Sequence, residues 1–427
     1  LELPGIYSTP YNVQDWNSVR ICKTPCGKLK SHFYQPTIVA ETWKAVNVNT
    51  VGNAYVIDFG RNFAGQYEIS LTAPAGTKLR FYPAEILDAG GDVDQSTCGG
   101  PKYDTYTCKG GSPENWGPTF IYHGFRYLKV EGLPTADMFT AKLIRAASPK
   151  EGHFQTSDNL LNQIHAIITR SIESNMYNAL TDCPHREKLG WLEAPNVLYN
   201  TVADNFDISA WTPKITWDAG DVQESSGMVP TTAPEHFAFG GQFRDDPTWG
   251  GALIMIPWQG YLTYGAKINM EKVYPAMCKL MDYYAIRANN NLLDYGLGDW
   301  IAFDETTTVG FTVSCSYYQQ TLAMASAAQV LGKSEDIAKY TQLATDIRKA
   351  LNETYYNSNT SSYDSGSQAA NAMALYYDIV PTESKTAVLQ NLLNAIGKAD
   401  NHLTTGEIAL KPLFFTLADN GYNDLVY

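Results

Sequence analysis

Leu128-Lys129-Val130-Glu131 and, past Ser148-Pro149, Ser157-Asp158-Asn159-Leu160-Leu161-Asn162-Gln163-Ile164-His165-Ala166-Ile167-Ile168 follow two different periods. In the first, apolar and charged residues alternate, as they do along a half-buried strand. In the second, Leu160, Leu161, Ile164, Ile167 and Ile168 recur at helical spacing behind Ser157-Asp158, a plausible N-cap. The change of period at Ser148-Pro149 divides the chain into a β half and an α half.

Working back from the boundary, residues 40–147 read as a β-sandwich domain. Short apolar runs stand at Tyr55-Val56-Ile57-Asp58-Phe59, Tyr67-Glu68-Ile69-Ser70-Leu71 and Lys78-Leu79-Arg80-Phe81-Tyr82. Turn clusters such as Ala73-Pro74-Ala75-Gly76 and Asp88-Ala89-Gly90-Gly91 punctuate them. Regular short strands with such turns suggest a sandwich. Residues 1–39 form a leading extended segment. Working forward, residues 148–427 read as about ten helices. One follows Ser334 with Ile337, Tyr340, Leu343, Ile347 and Leu351 on its face, after Gly332 ends the helix before it. Another is capped by Thr382 and carries Val388, Leu389, Leu392 and Ile396. No short fixed repeat is evident, so antiparallel helix pairs around one core are the expected arrangement.

Composition narrows the function. The formal net charge is −13, which argues against nucleic acid as the main partner. No apolar stretch approaches the ~20 residues of a membrane span. A dinucleotide fingerprint, a P-loop, a HExxH and a CxxC pair are all missing, so neither a cofactor nor a metal is expected. The chain has 28 Tyr and 9 Trp, a count that suits a carbohydrate partner, although most such rings fill cores. Cys22 with Cys26, and Cys98 with Cys108, could each close a small loop by a disulfide. Asn352-Glu353-Thr354 and Asn359-Thr360-Ser361 are N-glycosylation sequons. Together these features raise the expectation of a secreted glycoprotein. Cys183, Cys278 and Cys315 lie in helical surroundings and read as buried thiols.

The densest polar stretch of the helical half is Thr181-Asp182-Cys183-Pro184-His185-Arg186-Glu187-Lys188-Leu189-Gly190-Trp191-Leu192-Glu193. Pro184 suggests a helix start. On a helix, Glu187 and Trp191 would share a face. A carboxyl beside an indole is partly desolvated, the setting of a general acid. The alternative is a charged helix start with Asp182–Arg186 as a surface pair.

Asp182-Cys183-Pro184-x-Arg186-Glu187-x-Leu189-Gly190-Trp191 resembles the signature of bacterial-type α-L-rhamnosidases, the six-hairpin glycosidases. Ordered matches extend over most of the chain: Asp58-Phe59-Gly60-Arg61-Asn62-Phe63-Ala64-Gly65, Pro83-Ala84-Glu85-Ile86-Leu87 and Tyr122-His123-Gly124-Phe125-Arg126-Tyr127 in the β half. In the helical half they are Trp249-Gly250-Gly251-Ala252, Gly296-Leu297-Gly298-Asp299-Trp300 and Asn401-His402-Leu403-Thr404-Thr405-Gly406.

The resemblance implies a β-sandwich followed by an (α/α)6-type barrel. It also implies removal of terminal α-L-rhamnose from a plant polysaccharide or glycoside by an inverting acid/base mechanism. Glu187 matches the general acid. Asp182 and Arg186 match residues that hold sugar hydroxyls, and Trp191, Trp249 and Trp300 match tryptophans of the sugar pocket. Glu193 and His402 join the expected substrate-binding set. There are departures. One residue fewer separates the arginine from the glutamate. Leu192-Glu193-Ala194 stands where Gly-Asp is common, and Trp249-Gly250-Gly251-Ala252 lacks a frequent aspartate. The family's late general-base motif is not found, so the barrel reads as truncated, with a missing C-terminal segment or second chain as a partner. Within the chain, Glu193, Asp245, Asp246 and Glu407 are the acids that could stand in. Two other functions compete: a rhamnosyl-uronate lyase using His185 or a tyrosine as base, and a sugar-binding protein that lacks the base.

Overall fold

The structure, a computed structural model, describes residues 12–14, 16–23, 31–99, 101–111, 113–132 and 138–427. One compact unit contains Val39–Ile144; the other contains Gln35–Ile38 and Arg145–Tyr427. The described residues before Thr37 form neither helix nor strand.

Among the described residues the β-rich part of the chain carries the strands β1 (Thr37–Lys44), β2 (Asn47–Val51), β3 (Ala54–Leu71), β4 (Lys78–Ala84), β5 (Ile86–Leu87), β6 (Val93–Asp94), β7 (Asp104–Thr107), β8 (Glu114–Trp116), β9 (His123–Glu131) and β10 (Phe139–Ala146). Strands follow the order β1-β10-β3-β9-β4-β7, with β2 and β8 also on β3 and β5 paired with β6. The two runs at Tyr55–Phe59 and Tyr67–Leu71, read above as separate strands, belong to the single 18-residue β3. Its pairing with β9 shifts register between Asp58 and Phe63. Gly60 has φ +80° there, and its N–H donates to Asp58 Oδ1 at 2.7 Å. The turn-like Asp-Phe-Gly-Arg-Asn string is thus a bulge that bends a continuous strand. The two ends of β3 pair with different neighbours, β2 at one end and β8 at the other. Phe59, Phe63, Tyr67, Phe81, Phe125 and Phe139 belong to the buried core of this unit. Arg126 clamps Asp58 beside the bulge through two hydrogen bonds of 2.9 Å, which holds the Asp58 carboxyl below its ordinary value.

Cys98 and Cys108 are both buried and are not joined in a disulfide. The Cys98 thiol donates to the Gln95 carbonyl at 3.1 Å, which commits it to its own turn. Cys26 lies outside the described residues, so the Cys22–Cys26 pair does too.

The second unit is helical: α1 (Asn159–Asn175), α2 (Glu193–Val197), α3 (Tyr199–Ala203), α4 (Trp211–Asp221), α5 (Pro247–Gly250), α6 (Ala252–Tyr264), α7 (Lys267–Arg287), α8 (Val309–Leu331), α9 (Ser334–Tyr355), α10 (Gln368–Tyr376), α11 (Lys385–Lys398), α12 (Glu407–Asp419) and α13 (Asn423–Val426). Helices α8 and α9 pack along each other, as do α10 with α11 and α12, and α4 with α6. The Gly310–Tyr318 stretch of α8 is wholly buried, the mark of an inner helix. The more amphipathic α9 and α11 bury one stripe each, Tyr340, Ala344, Ile347 and Leu351 on the former, Val388, Leu392 and Ile396 on the latter. Gly332 caps α8 at φ +70°. Thr382 opens a 3-10 turn, and α11 starts three residues later.

Asp158 caps α1 as expected, accepting from Leu160 N and Leu161 N. The apolar face of α1, however, is largely exposed at Leu160, Ile164, Ile167 and Ile168, while Thr169, Ile172 and Glu173 are buried. Of the two sequons, Asn352 lies within α9. Its amide nitrogen donates to the carbonyls of Arg348 and Ile379, and its oxygen accepts from Tyr363 Oη. Asn359 is exposed at a hairpin turn. Among the described residues no helix is long and apolar enough to cross a membrane. No group of three His, Cys, Asp or Glu among them could hold a metal ion.

Candidate active site

The polar stretch Asp182–Leu192 is a loop, and the helix begins only at Glu193. Four hydrogen bonds and one backbone conformation hold the stretch out of a helix. Asp182 N–H donates to Leu189 O at 3.2 Å, and Leu189 N–H donates to Asp182 Oδ1 at 3.1 Å, closing the loop from both sides. Cys183 Sγ accepts from Glu187 N at 3.2 Å, and its thiol donates to Asp182 Oδ2 at 2.8 Å. Lys188 adopts φ +58°, which a helix does not allow. Beyond it, Gly190–Leu192 runs antiparallel to Thr231–Ala233, through Leu192 N to Thr231 O and Ala233 N to Gly190 O.

This loop still brings Glu187 to Trp191, as the spacing predicts, by a different route. Trp191 Nε1–H donates to Glu187 Oε2 at 3.1 Å, and Arg186 Nη2 pairs with Glu187 Oε1 at 2.9 Å. Both carboxylate oxygens are therefore anchored, one by a neutral donor and one by a cation. Arg186 pairs with Glu187 and not with Asp182, so the Asp182–Arg186 surface pair does not form. His185 is buried at 5% exposure.

Asp182, Arg186, Glu187, Trp191, Glu193, Trp249 and Trp300 all line one cavity of about 710 Å³. Phe239, Phe243, Leu297, Ile301 and Glu407 complete much of its wall. His402 is not among the lining residues. It is exposed, its Nδ1 lies 3.0 Å from Ala399 O, and its carbonyl accepts from Gln368 Nε2.

Structure also sorts the four acids left open as a base. Asp246 caps α5: its Oδ1 accepts from Thr248 N and Trp249 N, and its Oδ2 accepts from Leu297 N. Gly296, at φ +134°, leaves no room for a side chain beside that carboxylate, since a Cβ would meet Asp246 Oδ2 at 2.4 Å. Asp245 is held by Tyr283 Oη at 2.5 Å and Arg287 Nη1 at 2.9 Å, away from the cavity. Only Glu193 and Glu407 reach it. Among the described residues neither of these two carboxylates has a hydrogen-bond or ion-pair partner. Burial and the charge of Glu407 push Glu193 well above the ordinary carboxylate value. Burial and Asp299 do the same to Glu407. Each of the two is the first residue of its helix, α2 and α12.

Glu407 is placed by Asp299. The Asp299 carboxylate accepts from Gly406 N at 2.7 Å, Ile408 N at 3.1 Å and Ala409 N at 3.0 Å, so it caps α12 from another part of the chain. Trp300, next in sequence, accepts Glu407 N–H on its carbonyl at 3.0 Å. The Gly-Leu-Gly-Asp-Trp and Thr-Thr-Gly-Glu stretches thus form one wall.

One chain that carries a β-rich unit and a helical-hairpin unit, the latter with tryptophans and carboxylates around one cavity, has a glycosidase-type architecture. The comparisons agree. Residues 149–427 match the family model of the bacterial α-L-rhamnosidase 6 hairpin glycosidase domain, and residues 49–147 match that of the bacterial α-L-rhamnosidase concanavalin-like domain. The chain belongs to the bacterial α-L-rhamnosidase family. An α-L-rhamnosidase of Streptomyces avermitilis is 30% identical over 379 residues, covering 87% of this chain and 36% of that protein. The solved α-L-rhamnosidase of Dictyoglumus thermophilum superposes with TM-score 0.94 at 29% identity, over 100% of this chain and 50% of that one. The Streptomyces avermitilis α-L-rhamnosidase complexed with L-rhamnose gives TM-score 0.87 at 29% identity, over 92% of this chain and 38% of that one. The chain therefore spans half, or less, of the length of these relatives.

Proposed function

We propose that this protein is an α-L-rhamnosidase that hydrolyses terminal α-L-rhamnosides, with Glu187 as general acid in an inverting mechanism. One observation supports it above the rest: Glu187 is anchored by Trp191 and Arg186 at the wall of a tryptophan-lined cavity that holds further carboxylates. L-rhamnose presents a C6 methyl group and several hydroxyls. Indole faces suit the first and carboxylates the second. Inversion needs an acid to protonate the leaving oxygen and a second carboxylate to activate water. Of the acids considered, only Glu193 and Glu407 share the cavity with Glu187. The lyase reading fits less well. A uronate would enter a cavity with four carboxyl groups, Asp182, Glu187, Glu193 and Glu407, whose arginine is already paired with Glu187. Secretion, with a glycan on the exposed Asn359, belongs to the same proposal.

The test is incubation with a rhamnosyl-uronate oligosaccharide, following free L-rhamnose together with the ultraviolet absorbance of an unsaturated uronate. Rhamnose release without new absorbance is expected, and Glu187→Gln should lower it at least ~100-fold. New absorbance would establish a lyase. Binding of L-rhamnose without any turnover would make the chain a sugar-binding protein.

A further inference from the structure

A second cavity, of about 250 Å³, lies among α2, α3, α6, α8, α10 and α12. It shares no lining residue with the cavity of Glu187. Asn196 and Lys411 line it, each about one helical turn beyond the Glu193 and Glu407 that line the first. The two cavities differ in charge. The chain is acidic, at −13, and the Glu187 cavity holds four carboxyl groups. Among the described residues no Asp or Glu lines the second cavity, and its only charged lining side chain is Lys411.

Lys411 Nζ donates to Asn200 Oδ1 at 3.1 Å, and no carboxylate among the described residues comes within ion-pair distance of it. Burial pushes the Lys411 ammonium below the ordinary lysine value, and the charge of Asp204 offsets only part of that. A cation desolvated in this way gains from an anion brought to it.

The rest of the wall suits a sugar better than a bare anion. Trp258 lines the cavity and is backed by Tyr261, with ring centroids 5.7 Å apart and planes 26° apart. Tyr376 lines it too, steadied by Tyr377 at 5.1 Å and Phe415 at 6.1 Å. Such fixed rings are a surface on which a pyranose can pack. Two lining amides have hydrogen-bonding capacity to spare. Gln319 makes no side-chain hydrogen bond among the described residues, and Gln259 Nε2 makes only a long one, 3.5 Å to the Asn196 carbonyl. Each amide offers both donors and an acceptor, as sugar hydroxyls require.

We propose that this cavity is a second carbohydrate site, separate from the one that holds Glu187, and that it binds a uronate unit. The pyranose ring packs on Trp258 and Tyr376, its hydroxyls meet Gln259 and Gln319, and its carboxylate pairs with Lys411. Because no residue lines both cavities, the site stands whether or not the first one takes L-rhamnose.

Its test uses the full chain and ligand-observed NMR titration. The probes are methyl α-D-galactosiduronate and methyl α-D-glucosiduronate, the neutral methyl α-D-galactoside and methyl α-D-glucoside, and acetate. At least one uronate should bind about tenfold more tightly than its neutral counterpart and than acetate, and excess L-rhamnose should not displace it. Lys411→Met keeps the apolar stem and should abolish the advantage of the uronate over the neutral sugar, while Lys411→Arg should restore much of it. Gln319→Ala removes an amide that holds nothing else among the described residues and should weaken uronate binding about threefold, so the test survives if Lys411→Met fails to fold. Equal affinities of the acidic and neutral sugars, acetate binding as tightly as the uronates, displacement by L-rhamnose, or an unchanged uronate affinity in a folded Lys411→Met or in Gln319→Ala would overturn the site. L-rhamnose titrated alone reports on the first cavity, so failure of the rhamnoside reading and failure of the uronate site are told apart.

Discussion

At the scale of single residues, the site depends on how Glu187 is held. Its neighbours in sequence supply both anchors, Arg186 on one oxygen and Trp191 on the other. Trp191→Phe keeps a ring against Phe239 and deletes only the indole N–H. Turnover should fall about tenfold, the value of one lost hydrogen bond together with looser positioning. Affinity for L-rhamnose should fall by less, so comparing steady-state rates with calorimetry checks the assignment. Equal losses in both would make Trp191 a sugar-binding ring with no part in orienting the acid. The spacing of Glu187 and Trp191 was legible in the sequence. The reason for their contact was not, because the expected helix is a loop closed by Asp182, Cys183 and Leu189.

Among elements, the cavity is assembled by caps. Asp246 caps α5 and ties Leu297, while Asp299 caps α12 and so places Glu407. Asp299→Ala should destabilise the protein by about 1–3 kcal/mol, since three buried N–H groups lose their acceptor. Urea unfolding measures that loss. Because Glu407 opens α12, L-rhamnose binding should weaken as well. A stability loss with unaltered binding would mean that α12 keeps its position without the cap. Sequence motifs marked Asp299 and Trp300 as members of a site stretch. They did not disclose that Asp299 acts on a helix more than a hundred residues away, since a side-chain cap leaves a local signature only when it precedes its own helix. The converse holds for α1. Its cap at Asp158 was readable, yet its apolar stripe is exposed, because periodicity tells which residues share a face and not what packs on it.

Over the whole molecule, the buried acids set the dependence of stability on pH. Glu193, Glu407, Asp182, Asp246 and Asp299 all have raised values, chiefly from burial. Each keeps its proton in the folded state where the unfolded chain has already released it. Their contribution is full below the ordinary carboxylate range and is lost as pH rises through the folded values, up to about 8 for Glu193. Asp58 and Glu114 have lowered values and act oppositely, losing their contribution only in stronger acid. The melting temperature should therefore peak in mild acid and decline toward pH 8. Glu407→Gln should flatten that decline and match the parent near pH 5. A parent curve that rises from pH 5 to 8 would contradict this account.

Much of the architecture could be read from the chain alone. The change of period at Ser148-Pro149, the family stretches and the proximity of Glu187 to Trp191 are local patterns, and local patterns survive in one dimension. Tertiary structure decided the rest. It fused two apparent strands into the bent β3. It placed His402 outside the cavity, and it committed Asp245 and Asp246 to structural partners. Of the four acids open as a base, it left Glu193 and Glu407 lining the same cavity as Glu187. The physical reason is common to all of these: burial, partnership and the direction of a carboxylate depend on which distant segments fold against it, and no spacing along the chain encodes that.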